Sequence, residues 1–169
     1  MESQQIQYYD SPLSPYSMVV NCVLHYIEAN INHRELNLGL NEHKQDWYMK
    51  INPNGQVPGI LDGDFSLAES ATICRYVIES RDMDTEVYPY KDLKKKFRVE
   101  QVLDYATDKF AYHSMDCVFQ ILVGPLFFGI QPAQGKARDR VMSNVHACYK
   151  NCEGMLEKQG TKYFTSDSK

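Results

Sequence analysis

Residues 52–76, which read NPNGQVPGILDGDFSLAESATICRY, constrain the fold more than any other part of the 169-residue chain. Asp62-Gly63 is a strong hairpin signal, because the central positions of such a turn favour positive φ. The apolar runs 57–61 and 65–67 predict the two hairpin strands, and Glu69-Ser70 precedes a helical pattern. A strand can offer its backbone to an extended peptide, and a helix N-terminus can bind a carboxylate. The segment therefore predicts a site for a small zwitterion.

The rest of the first 81 residues alternates between strand and helix patterns. Alternating segments predict strands at residues 6–9 and 33–38, and apolar residues at helical spacing predict helices at residues 19–30 and 42–51. With the hairpin and the helix after it, the order is β-α-β-α-β-β-α. This order predicts an α/β fold for the region.

After a polar linker at residues 82–91, no strand pattern remains. Residues 93–121 read as one long helix that Gly124-Pro125 breaks, and residues 137–158 read as another. The second region is therefore predicted to be all-α. Three aromatic residues of the long helix are expected in its core rather than in a binding site; they are Phe97, Tyr105 and Tyr112.

Composition excludes several classes of function. The net charge of −4 does not suit a nucleic-acid-binding surface. A membrane-spanning helix needs about 20 consecutive apolar residues, and no apolar run of the sequence approaches this length. Residues 1–7 lack the apolar segment of a secretory signal. The five cysteines form neither a Cys-x-x-Cys pair nor a cluster with His or Asp, so no metal site is expected. Reduced thiols point to a reducing compartment, the cytoplasm.

Three short motifs at this spacing resemble one known family. They are Gln56-Val57-Pro58, Asp62-Gly63-Asp64 and Glu69-Ser70. Their order is similar to the glutathione-binding core of the cytosolic glutathione transferases, most like the theta class, and the resemblance extends over residues 7–164. It implies a thioredoxin-like domain at residues 1–81 and an all-helical domain at residues 92–169. It also implies glutathione as cosubstrate and a homodimer.

The resemblance further implies how the first domain holds glutathione. Glu69 pairs with the ammonium of the γ-glutamyl unit, and the hydroxyl and backbone N–H of Ser70 bind its carboxylate. Val57 offers its backbone N–H and C=O to the cysteinyl unit, and Pro58 follows a cis peptide bond. Gln56 precedes these two residues and reaches toward the ligand.

Two basic residues are implied at the other end of glutathione. His43 precedes Asn52 at the spacing of the theta-class histidine that meets the glycyl carboxylate. Lys44 follows as a second cation. A histidine on a polar helix is otherwise a solvated side chain, and this alternative stays open.

The loop before the first helix contains the candidate catalytic group. Ser14-Pro15-Tyr16-Ser17 resembles a glutaredoxin Cys-Pro-Tyr-Cys motif with serine in place of both cysteines, so this motif cannot exchange disulfides. A serine hydroxyl at a helix N-terminus can instead donate to a thiolate. By analogy with the serine-type classes the candidate is Ser14, and Ser11 is the alternative. A plain helix cap is the competing interpretation of Ser14.

These motifs predict a glutathione transferase that conjugates the glutathione thiolate to small electrophilic or hydrophobic substrates, as in detoxification. The alternative is a catalytically weak or inactive relative that serves as a binding or scaffold subunit of a larger assembly. Met18 favours the alternative, because it stands where many relatives carry Arg. The short C-terminus also favours it. The given sequence stops at Lys169, just after the Phe-Thr-Ser-Asp motif at residues 164–167, whereas the family continues with a further helix, so the helical domain is expected to be incomplete.

Overall fold

The structure of the protein is a computed structural model and describes residues 5–164. Expectations for residues 1–4 and for residues 165–167 of the last motif lie outside this described part. The chain forms two compact units, Met1–Tyr90 and Lys91–Lys169. Within residues 5–164, no helix is both long enough and apolar enough to cross a membrane.

A four-stranded mixed sheet forms the first unit together with its helices. The strands are β1 Ile6–Asp10, β2 Ile31–Glu35, β3 Gly59–Asp62 and β4 Phe65–Ala68. Their order is β2-β1-β3-β4, with β1 parallel to β2 and β3 antiparallel to both of its neighbours. The α-helices of this unit are α1 Pro15–Tyr26, α2 Asp46–Met49 and α3 Ser70–Glu79. The element order confirms the predicted α/β thioredoxin-like fold.

The core of this unit lies on the side of the sheet where α1 and α3 pack against each other. β1 alternates buried and partly exposed residues, so Ile6, Tyr8 and Asp10 face the same side. The helices contribute fully or almost fully buried side chains, which are Val20, Leu24, Ile73 and Val77. The buried face of β1, which repeats every two residues, and the buried faces of α1 and α3, which repeat every 3.6 residues, therefore form one core.

α1 is displaced toward the N-terminus from its predicted range of residues 19–30. It begins at Pro15, because the Ser14 side chain caps it and proline needs no N–H in the first turn. It ends at Tyr26, and Glu28 has a φ of 49° that is incompatible with a continuing helix. The spacing of apolar residues identified the buried face of α1, but it did not identify the first turn of the helix, which Ser14 caps.

The segment between β2 and β3 is less regular than predicted. The expected strand at residues 33–38 ends early, because the Asn37 side chain caps a 3₁₀ turn that follows it. The expected helix at residues 42–51 is split into a 3₁₀ turn, Glu42–Lys44, and the short α2. The split occurs at Gln45, whose backbone is extended with a ψ of 148°.

The predicted hairpin is confirmed, but its turn is shifted by one residue. Asp62 pairs with Phe65, so the two-residue loop consists of Gly63 and Asp64 rather than of Asp62 and Gly63. Gly63 has a φ of 65°. Positive φ at the first central residue requires a residue as permissive as glycine.

The second unit is all-α, as predicted. Its helices are α4 Leu93–Tyr105, α5 Tyr112–Val118, α6 Gly124–Phe128 and α7 Gly135–Gln159. Two π-helical segments, Ala106–Ala111 and Phe119–Val123, join the first three of these helices. Helical backbone therefore continues through residues 93–128, beyond the predicted end at residue 121.

Gly124-Pro125 does not break this helix, which corrects the prediction. The N–H of Gly124 donates to the carbonyl of Phe119, which is a π-type bond across five residues. Pro125 then occupies the first turn of α6, where its missing N–H removes no hydrogen bond of that helix. The helix ends instead at Gly129, whose φ of 64° is left-handed.

The expected core positions of two aromatic residues are also wrong. Phe97 is 62% exposed and Tyr112 is 64% exposed. Tyr105 is partly buried, and its hydroxyl donates to the carbonyl of Cys148 on α7 at 3.2 Å. Helical spacing shows that residues share a face, but it does not show whether another element covers that face.

Candidate active site

The strand register brings several segments to one end of the sheet. Tyr9 near the end of β1 pairs with Gly59 at the start of β3, and Gly59 pairs with Ala68 at the end of β4. Asp10 pairs with Glu35 at the end of β2. Because neighbouring strands lie about 4.8 Å apart, the loops that leave or enter at these residues share one edge of the unit.

These loops carry the predicted site residues. Residues 11–14 follow β1, residues 56–58 precede β3, and residues 69–70 follow β4. α1 and α3 both begin at this edge. The N-terminus of a helix carries a partial positive charge and unpaired N–H groups. The edge therefore presents two helix ends that suit anionic groups.

Ser14 is the N-cap of α1. Its Oγ accepts a hydrogen bond from the N–H of Ser17 at 3.2 Å, and the residue is 8% exposed. The hydroxyl hydrogen is not used in this bond, and no acceptor for it lies within residues 5–164. The two interpretations of Ser14 are therefore compatible, because the same hydroxyl can cap the helix and donate to an anion.

Ser11, the alternative, is packed more tightly. It is 2% exposed, its carbonyl accepts from the N–H of Ser14 at 3.0 Å, and its N–H meets the Oγ of Ser17 at 3.5 Å. The Tyr8 hydroxyl donates to the carbonyl of Ser17 at 3.0 Å. Burial, together with the neighbouring Asp10, raises the pKa of Tyr8 far above its usual range, so this donor keeps its proton.

The peptide bond between Val57 and Pro58 is cis, as predicted. Neither the N–H nor the C=O of Val57 has a hydrogen-bond partner in the described part of the chain. An unpaired backbone beside a strand end can pair with an extended peptide. The side chain of Gln56 is exposed next to it.

Two residues that hold this loop were not identified as site residues from the sequence. The Tyr48 hydroxyl and the Asn52 amide both donate to the carbonyl of Gln56, at 2.6 and 2.7 Å. Asn52 is 3% exposed, and its Oδ1 accepts from the N–H of Asn54 at 3.1 Å. A Cβ on Gly59 would lie 2.8 Å from the Tyr48 hydroxyl oxygen. The only signal in the sequence was the turn motif that begins at Asn52.

Glu69 and Ser70 lie at the start of α3 with their side chains unengaged. Glu69 has a φ of 68° and a ψ of 112°, which is unusual for a residue with a side chain, and its carboxylate does not cap the helix. Within residues 5–164, neither side chain has a hydrogen-bond partner. Unusual backbone of this kind is concentrated at ligand-binding positions.

His43 and Lys44 lie against the loop that precedes β3. Lys44 Nζ donates to the carbonyl of Asn54 at 3.2 Å, and Gly55, with a φ of 55°, brings that loop to the His43 carbonyl. Nδ1 of His43 is buried without a partner in the described residues. Burial, assisted by Lys44, lowers the pKa of His43. A neutral imidazole protonated on Nε2 can still donate to a carboxylate.

The site contains hydroxyl and backbone donors rather than thiols. All five cysteines are free, and Cys22 on α1 is exposed whereas Cys74 on α3 is buried. The described residues contain no group of three His, Cys, Asp or Glu side chains that could hold a metal ion. The arrangement suits binding of an extended, zwitterionic peptide with a hydroxyl donor near one end of a helix.

Comparisons with known proteins find similarity to glutathione S-transferases. The sequence family "Glutathione S-transferase, N-terminal domain" matches residues 4–79. "Probable glutathione S-transferase GSTF2" of Oryza sativa subsp. japonica is 34% identical over 116 residues, which cover 68% of this chain and 53% of that protein. "Glutathione S-transferase theta-1" of Mus musculus is 29% identical over 90 residues, which cover 53% of this chain and 37% of that protein.

A solved structure shows the same fold. Glutathione transferase F7 from Populus trichocarpa superposes with a TM-score of 0.83 at 25% identity, and the match covers 96% of this chain and 75% of that chain. The chain therefore spans about half the length of the rice relative and three quarters of the poplar structure.

Proposed function

We propose that the protein, whose residues 4–79 match the sequence family "Glutathione S-transferase, N-terminal domain", binds glutathione and transfers it to small electrophiles. One observation carries the proposal. The register of β1, β3 and β4 gathers a hydroxyl donor, an unpaired backbone segment and a helix N-terminus at one edge of the sheet. These are the groups that a tripeptide thiol with a terminal zwitterion requires.

Ser14 is the proposed catalytic residue. Its hydroxyl hydrogen donates to the glutathione sulfur and stabilises the thiolate, helped by the positive end of α1. A hydrogen bond to a charged group contributes about 1.5–3 kcal/mol. This corresponds to a fall of about 1–2 units in the thiol pKa. Since a free thiol has a pKa of about 8.5, this fall makes a large fraction of the bound glutathione the nucleophilic thiolate near pH 7.

The remaining site residues are proposed to hold the two ends of glutathione. Glu69 and Ser70 bind the γ-glutamyl ammonium and carboxylate, supported by their unengaged side chains at the start of α3. The backbone of Val57, beside the cis Pro58, pairs with the cysteinyl unit, and Gln56 reaches the ligand from the same loop. The glycyl carboxylate is bound by two further residues, His43 and Lys44.

The class, the dimer and the cellular location are further parts of the proposal. The order of the site motifs favours the theta class, whereas the higher identity to the rice protein favours the plant F group. We retain a serine-type enzyme as the common element of both. A homodimer in the cytoplasm follows the family resemblance, and the five free thiols are consistent with a reducing compartment.

Calorimetry with glutathione, combined with conjugation of an activated aromatic halide, tests the proposal. Ser14→Gly is the informative variant, because glycine keeps most of the capping preference but removes the hydroxyl. We expect nearly unchanged glutathione affinity and a large loss of turnover. Ser11→Gly tests the alternative serine, and Ser143→Ala, an exposed serine on α7, is the matched control.

The outcomes separate the candidate functions. Absence of glutathione binding by the wild-type protein would contradict the proposal. Unchanged turnover in Ser14→Gly would remove Ser14 from its role, and loss in Ser11→Gly alone would transfer the role to Ser11. Binding without any conjugation would select the alternative, a weakly active or inactive binding subunit. The exposed Met18 at the start of α1 favours this alternative, because it provides no positive charge near the thiolate.

A further inference from the structure

A carboxylate occupies a core position of β1. Ile6, Tyr8 and Asp10 alternate onto the buried face of this strand, and Asp10 is 2% exposed. An apolar side chain would suit this position better, because a buried charge is costly unless it is paired. Asp10 is the residue that directly precedes the loop of residues 11–14, in which both candidate serines lie.

The Asp10 carboxylate is engaged on both oxygens. Oδ2 accepts a hydrogen bond from Nδ2 of Asn21 on α1 at 2.8 Å, and Oδ1 meets Nε2 of His33 on β2 at 2.7 Å. Since an ionised carboxylate only accepts hydrogen bonds, the proton of this second bond belongs to His33. The His33 ring also stacks on the ring of Tyr8, with centroids 5.6 Å apart. Asp10 thus joins three elements of the first unit.

Two contacts tie α1 to the buried face of β1. Tyr8 binds the carbonyl of Ser17, and Asp10 binds the side chain of Asn21, which lies four residues further along the same helix face. Ser17 in turn donates its N–H to the Oγ of Ser14. The first two turns of α1, and with them the Ser14 hydroxyl, are fixed relative to the strand.

From this geometry we infer that Asp10 is a positioning residue, which sets the Ser14 hydroxyl by holding α1 through Asn21. The inference rests on the proposed function, because Ser14 must act on bound glutathione for its position to matter. The contacts of the Asp10 carboxylate are made with Asn21 and His33, and not with Val57 or the start of α3, where glutathione is proposed to bind. Its loss should therefore reduce thiolate formation and turnover much more than glutathione affinity.

The test compares Asp10→Asn and Asn21→Ala in the full chain. Asp10→Asn keeps the shape but removes the charge, and Asn21→Ala removes one contact at a helix position where alanine favours folding. Because a misplacement of about 1 Å can cost up to about 100-fold in rate, we expect kcat to fall about 10-fold or more. The ultraviolet thiolate absorbance of bound glutathione should fall in parallel, while the glutathione Kd changes less than about twofold.

A matched control lies on the same two strands. Asn32 Nδ2 donates to Oε1 of Gln7 at 2.6 Å, one register position before the pair of Tyr8 and His33, and this bond is exposed. Asn32→Ala therefore removes a bond between β1 and β2 that does not reach α1. It should leave both kcat and the thiolate absorbance unchanged.

The outcomes distinguish the inference from the proposed function. A wild-type protein that does not bind glutathione would overturn both. The inference alone would be overturned if the wild-type protein is active and the Asn21→Ala variant keeps the full kcat and the full thiolate absorbance of the wild type. An equal loss in Asn32→Ala would also overturn it, since the effect would then reflect general loosening of the sheet. If Asp10→Asn does not fold, Asn21→Ala alone decides the test.

Discussion

Removing the two donors that hold the Gln56 carbonyl should loosen the loop that presents the Val57 backbone. Asn52→Ala removes two hydrogen bonds, one to this carbonyl and one from the N–H of Asn54. Tyr48→Phe removes only the hydroxyl bond to the same oxygen. At about 1 kcal/mol net per hydrogen bond, the free energy of unfolding should fall by about 2 and about 1 kcal/mol.

The double variant gives the sharper result. In either single variant the Gln56 carbonyl keeps one donor, whereas in the double variant it loses both. An unsatisfied polar group costs about 1–3 kcal/mol, so the double loss should exceed the sum of the single losses by about 1 kcal/mol. If the loop must be reordered when glutathione binds, this cost also weakens the Kd about fivefold, since about 1.4 kcal/mol corresponds to a factor of ten.

Urea unfolding and calorimetry measure the two effects on the same samples. Tyr26→Phe is the matched control, because Tyr26 is 55% exposed and its hydroxyl has no partner in the described residues. Its effect should stay within about 0.5 kcal/mol. Strict additivity of Tyr48→Phe and Asn52→Ala, with an unchanged glutathione Kd, would refute the argument that one shared carbonyl supports the binding loop.

The first unit contains three other groups whose perturbation has a measurable effect, namely Gly55, His43 and Cys74. Gly55→Ala should destabilise the protein by more than about 1 kcal/mol and weaken glutathione binding, because φ is 55° and the new Cβ would lie 2.8 Å from the Lys44 side chain and 2.9 Å from the His43 carbonyl; urea unfolding and calorimetry report both. Burial lowers the pKa of His43, so the unfolded chain takes up the proton first. Stability should therefore fall as the pH drops through about 6.5, and His43→Gln should flatten that dependence in pH-dependent unfolding; an unchanged slope would contradict it. Burial raises the pKa of the Cys74 thiol to about 12, so a thiol-alkylating reagent should label the exposed Cys22 long before Cys74, as read by peptide mass spectrometry; equal labelling rates in the folded protein would show that Cys74 is accessible.

Local chemistry explains which parts of the fold were predictable. The hairpin and the start of α3 depend on turn residues and apolar periods within a few positions, and all of that information lies in residues 52–76. The boundary errors have local causes too: the Asn37 side chain ended β2 early, and the Ser14 cap started α1 early. The continuous helix across Gly124-Pro125 was missed because a π-helical segment ends directly before these residues and leaves Pro125 in the first turn of α6. Apolar spacing does not indicate such a segment.

The sequence by itself determined the chemical groups of the candidate site, because each motif is short and carries its own backbone requirement. Only the tertiary structure decided how those groups meet. The register places the ends of β1, β3 and β4 at one edge, Asn52 and Tyr48 converge on one carbonyl, and Asp10 is paired with residues from two other elements. Asp10 and His33 are 23 residues apart. Such contacts depend on strand pairing and helix packing across the whole unit. Neither the apolar period nor the spacing of motifs shows which distant side chain will form a hydrogen bond with a buried polar group.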